Sequence, residues 1–104
     1  PYVTRLNKLV RKDAAFFLLD RLLISAIVER RGAERFALIA KHVADPELQK
    51  FYAAIAKSEK RHWHLFVQLA TDLCGHLPVN CRFCELADLE NALVADLPVR
   101  PALH

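Results

Sequence analysis

Methionine is absent from this chain of 104 residues, and glycine occurs only twice. Without an initiator residue, the expectation is a chain that has been processed, trimmed or cut from something longer. Scarce glycine leaves little material for tight hairpin turns, which argues against a strand-rich fold. Three cysteines are too few, and odd in number, for a disulfide scaffold; a reducing, cytoplasmic setting is the simpler expectation. No leader pattern is visible, because "PYVTRLNKLVRKD" is polar and basic. No long apolar run is uninterrupted either. The longest, "AAFFLLDRLLISAIV", is broken by Asp20 and Arg21, so it reads as a packed helix and not as a membrane span.

What is present is a hydrophobic share of 54% and 15 basic against 12 acidic residues, for a formal net charge of +3. The apolar share excludes a disordered chain. The length allows one small domain, taken here as residues 1–104. The mild positive excess permits a nucleic-acid partner without requiring one.

Four helical stretches can be read, and no strand pattern. A short helix covers about Tyr2 to Lys12. Asp13 can cap a second that runs to about Val43. In "ADPEL", Asp45 suits the cap and Pro46 the first helical position of a third helix. That helix runs to about Cys74, where Gly75 ends it. A fourth follows from about Pro78 to Asp96, and the tail "LPVRPALH" should be extended. The two long helices share a tight junction and should pack antiparallel.

The stretch "SEKRHWHLF" (58–66) places Glu59 and His62 three apart. At about 100° per residue, Glu59 shares a stripe with Leu48, Tyr52, Ile55, Ala56, Trp63, Phe66 and Ala70. On the second helix, Glu29 shares a stripe with Leu18, Leu22, Ala26, Ala33, Phe36 and Ala40. Each glutamate lies about 14 residues from the junction, so at about 1.5 Å rise per residue they reach one level. A buried carboxylate costs several kcal/mol unless compensated, roughly speaking. Two at one level also repel, and a cation between them resolves both problems. One Glu on one helix and a Glu-x-x-His on its neighbour are half of a carboxylate-bridged di-iron or di-manganese site. The plainer alternatives are a Glu-x-x-His pair on a helix surface and an ion pair of Glu29 with arginine. Glu34 lies beside Arg30, Arg31 and Lys41, and reads as solvated or as a neighbour of the ligands.

The words "AIVERRGAERF", "FYAAIAKSEKRHW" and, weakly, "VRPALH" resemble the C-terminal half of the MiaE-type tRNA hydroxylases. The resemblance is carried mainly by residues 18–70. It implies a ferritin-like, all-α bundle of two long antiparallel helices and two shorter ones, about half the family's usual length. It also implies a non-haem di-iron monooxygenase that hydroxylates, with O₂, the isopentenyl group of a modified adenosine in tRNA. Glu29, Glu59 and His62 would then be catalytic iron ligands, with manganese as the other candidate metal. The family's second Glu and Glu-x-x-His set is absent from this sequence. Completion is expected from a homodimer about a two-fold axis, or from a missing N-terminal half. The dimer is the preferred expectation, because one hairpin cannot bury apolar faces this wide. A ferritin-like iron oxidase that does not act on RNA, and a metal-free interaction module, remain alternatives.

Tyr52, Trp63 and Phe66 are candidates for the wall of a substrate pocket, though ordinary packing explains each one. Arg5, Lys8, Arg11 and Lys12 give one side of the first helix a basic face that can grip tRNA phosphate; a solvated face explains it as well. Cys74, Cys81 and Cys84 resemble part of a zinc site but supply only three thiols. They are read as buried or incidental thiols. His64 points about 200° away from His62 and should be exposed. His76 and His104 carry no reading.

Overall fold

A computed structural model describes residues 1–97. The element order is α1 (Tyr2–Asn7), α2 (Ala14–His42), α3 (Pro46–Cys74) and α4 (His76–Ala95), with no strand among the described residues. The all-α helical bundle expected from the sequence is the fold observed. The extended tail, the closing "VRPALH" and His104 lie, apart from Leu97, outside the described residues.

Local chemistry fixes the ends of the long helices. The Asp13 carboxylate accepts from the Ala15 amide at 2.9 Å and starts α2. Asp45 does the same for Glu47 at 2.8 Å, with Pro46 as the first residue of α3. Pro46 needs no amide partner at that position. Gly75 stops α3 at φ 88°, a conformation that costs glycine little. Helix α4 begins at His76, two residues before the expected Pro78, because proline is tolerated in a first turn.

α1 is shorter than expected. It ends at Asn7, and a turn closed by the Leu9 amide on the Leu6 carbonyl follows. That turn brings Arg11 to Asp20, which accepts from the Arg11 backbone at 2.9 Å and from its guanidinium at 2.8 and 3.0 Å. Arg82 of α4 reaches the same carboxylate at 2.9 and 3.0 Å. Burial pushes the Asp20 carboxyl up, but the two arginines outweigh it and hold the group well below the usual carboxylate range. A second knot joins the far ends of the chain. Glu90 of α4 accepts from Tyr2 Oη at 2.7 Å and from Arg31 Nε at 2.8 Å. Burial opposes ionisation of Glu90 too, and Arg31 and Tyr2 again reverse the balance.

The apolar core lies among α1, α2, α4 and the C-terminal part of α3. Leu6, Val10, Leu19, Leu23, Ile27, Ala70, Val79 and Leu86 are buried there. α2 packs most extensively against α3. The body measures 47 × 30 × 17 Å, so it is thin in one direction. Among the described residues, Leu38 of α2 and Leu48, Phe51, Leu65, Leu69 and Leu73 of α3 remain exposed. Among the described residues, no helix is long and apolar enough to cross a membrane.

Candidate metal centre

Glu29, Glu59 and His62 come together. One ligand atom from each lies within 4.8 Å of the others, the one such group of His, Cys, Asp or Glu among the described residues. His62 Nδ1 stands 3.9 Å from Glu29 Oε2, too far for a hydrogen bond between them. The levels predicted by counting from the junction therefore meet, and the antiparallel hairpin is what makes them meet. Glu59 is helped by Gly32. Its Oε2 lies 3.5 Å from the place a β-carbon on Gly32 would take, so the small residue on α2 leaves room for the carboxylate of α3.

Two oxygen donors and one imidazole nitrogen form a mixed set suited to iron, manganese or zinc. Ligands about 2.1 Å from a common ion stand up to roughly 4.2 Å apart, so closing the set needs only a small side-chain adjustment. The three residues thus fit a metal, and they leave coordination positions open.

The burial of this group differs from expectation. The His62 side chain is 53% exposed and that of Glu29 28% exposed; none of the three residues is fully buried. The stripes of the two glutamates are covered at Ala26 and Ala70, but Leu18 and Leu48 at their ends are exposed. The reason is geometric. α1 and α4 pack mainly against the side of α2 where Leu19, Leu23 and Ile27 point, and none of the described residues buries the His62 side chain. Leu65, Leu69 and Leu73 continue this open edge along α3.

The proposed pocket-wall residues separate into two kinds. Phe66 lines a groove of about 260 Å³ beside Glu29, with Val3, Ile24, Ser25 and Val28. Tyr52 instead stacks on Phe36, ring centroids 6.1 Å apart, and meets Phe51 edge-on. Trp63 stacks on Phe83 of α4 at 6.3 Å, with the Arg30 guanidinium 6.0 Å from its ring. Tyr52 and Trp63 thus pack against aromatic neighbours, and neither lines the groove beside Glu29. The contacts of Arg30 and Phe83 leave no local pattern in the sequence, because the two residues are 53 positions apart on α2 and α4.

The basic face expected on the first helix is not formed. Arg5 pairs with Asp96 at 3.3 Å and Arg11 is held on Asp20. Lys8 and Lys12 lie beyond the end of α1, exposed but on no common helical face. Glu34 is exposed and pairs loosely with Arg31 at 3.7 Å, in line with its reading as solvated. His64 is exposed, its ring against Trp63. The cysteines are not buried as one reading expected: Cys81 and Cys84 are exposed and free, on the outer side of α4, and Cys74 is half-buried and free.

The whole sequence, residues 1–104, matches the family described as tRNA-(MS[2]IO[6]A)-hydroxylase (MiaE). The chain belongs to this family. Two curated relatives carry the name tRNA 2-(methylsulfanyl)-N(6)-isopentenyladenosine(37) hydroxylase. The protein from Pseudomonas putida is 41% identical over 69 residues, which is 66% of this chain and 33% of that protein. The one from Salmonella typhimurium is 36% identical over 93 residues, 89% of this chain and 34% of that protein. The chain thus spans about a third of the length of the MiaE relatives it matches. No solved structure matches it significantly.

Proposed function

We propose that this MiaE-family chain supplies half of a dinuclear iron centre, and that the completed centre hydroxylates the isopentenyl group of a modified adenosine in tRNA. The observation that carries this reading is the convergence of Glu29, Glu59 and His62 within 4.8 Å on facing helices. The substrate comes from the names of the two relatives. When bound, a reduced iron pair supplies the activation of O₂ that attack on an unactivated C–H bond needs. Manganese suits the same oxygen and nitrogen donors.

The chain's own residues have separate tasks. Glu29 and Glu59 neutralise and hold the metal from opposite helices, and Glu59 keeps its place because Gly32 makes room. His62 adds a neutral nitrogen on the open edge. Phe66, Val3, Ile24 and Val28 offer apolar contacts to a prenyl chain beside Glu29, in a groove that Asn7, Arg21 and Ser25 also line. A second Glu and Glu-x-x-His set must come from outside these 104 residues. A second copy about a two-fold axis provides it, as does a further stretch of a longer chain. The exposed leucines that flank His62 support a covering partner on this side.

The test is metal content together with solution mass after anaerobic reconstitution with iron. About one iron per chain in a particle of twice the chain mass is expected for the two-copy assembly. Less than about 0.3 iron or manganese per chain would overturn the metal reading, since a filled pair requires one ion per half-site. Loss of the hydroxylated nucleoside in cells lacking the gene separates a tRNA hydroxylase from an iron oxidase.

A further inference from the structure

The outward face of α3 carries Lys50, Lys57, Arg61 and His64, at spacings of seven, four and three, with Lys60 alongside. These spacings put them on one side of the helix, about 140–200° round from Glu59 for all but Lys60. All five are exposed. Lys57, Lys60, Arg61 and His64 line one open basin of about 370 Å³ with no acidic residue in its wall. Among the described residues, no ion pair is formed by any of the four basic side chains Lys50, Lys57, Lys60 and Arg61. This differs from the N-terminal segment, where Arg5 of α1 and Arg11 beyond it are both paired with carboxylates.

We propose that this face of α3 is the surface that grips the phosphate backbone of the RNA substrate. The inference rests on the tRNA reading above and adds where the RNA is held. Uncompensated like charges along one helix repel, at a cost to the helix. A polyanion relieves that repulsion and gains the free energy of counterion release. From Lys50 to His64 the row is about 21 Å long, enough to follow several phosphates. Lys57, Lys60 and Arg61 interleave with Glu59 and His62 in "KSEKRH". Phosphate grip and metal ligation are thus built on the same two turns of one rigid helix. The row lies about a helix width from Glu29, Glu59 and His62, so the RNA backbone is held on the side of α3 opposite the side that a partner covers.

The experiment measures binding of a fluorescently labelled tRNA transcript to the iron-reconstituted protein across a salt series. The triple variant Lys57→Gln/Lys60→Gln/Arg61→Gln is compared with Lys8→Gln/Lys12→Gln. Circular dichroism and iron content check that both variants keep their fold and their metal. For the α3 variant, affinity at moderate salt should fall ~10-fold or more, and the log–log salt slope should drop by about 2–3. The Lys8→Gln/Lys12→Gln variant should lose less than about 2-fold. An α3 variant that keeps the affinity and slope of a binding wild type overturns this surface while leaving the tRNA reading intact. A wild-type protein that binds no tRNA overturns both.

Discussion

Glu59 lays its carboxylate against Gly32, with Oε2 3.5 Å from the position of an absent β-carbon. That separation is ordinary contact for a methyl group and too small for anything longer. Gly32→Ala should therefore keep metal binding and raise stability by about 0.5–1 kcal/mol, since alanine favours a helix interior. Gly32→Leu should displace the Glu59 head and lower iron content while the helical signal is retained. Iron analysis beside urea unfolding reads both. Full iron in the leucine variant would show that Glu59 is not held where the metal sits.

Glu59→Ala should abolish metal binding. Because Glu59 is only half-buried, removing its charge relieves little desolvation, and the metal-free fold should change by less than about 1 kcal/mol. A variant that retains full metal content would remove Glu59 from the centre.

Trp63→Ala should destabilise the fold by about 2–3 kcal/mol and spare metal content. The ring packs on Phe83 and under Arg30, and it is half-buried, so the loss falls below that of a fully buried tryptophan. Loss of iron without loss of stability would return Trp63 to the site.

Acid should weaken the fold through Asp20 and Glu90. Both carboxyls are held below their ordinary values in the folded chain, by Arg11 with Arg82 and by Arg31 with Tyr2. A lowered folded-state pKa gives stability that is complete well above the unfolded value and is lost as pH falls below it. Stability should be flat near neutrality and drop once pH passes below about 4. Urea midpoints at pH 7 and pH 3 measure this, and Asp20→Asn should flatten the drop while costing about 3 kcal/mol at pH 7, because two arginines lose their partner.

Much of this was legible in the sequence because it depends on local signals. Asp13, Asp45–Pro46 and Gly75 mark helix ends by chemistry that acts within a few residues. The Glu29–Glu59 match follows from counting outward from one tight turn, since the rise of a helix is constant. The exposure of His62 was not legible. Helical periodicity shows that a face is apolar but not which neighbour covers it, and the Leu19–Leu23–Ile27 face of α2 took the available helices. Long-range charge pairs were hidden for the same reason. Arg11 on Asp20, and Arg5 on Asp96, turned an apparent basic face into two structural ties.

The slab is only 17 Å thick, and Glu29, Glu59 and His62 stand toward its exposed side. In the two-copy centre proposed above, an ion bridging two such layers belongs to neither alone, so ion uptake and assembly become one equilibrium. On that proposal iron should bind more tightly as the protein is concentrated, and dilution should release the ion and separate the layers together.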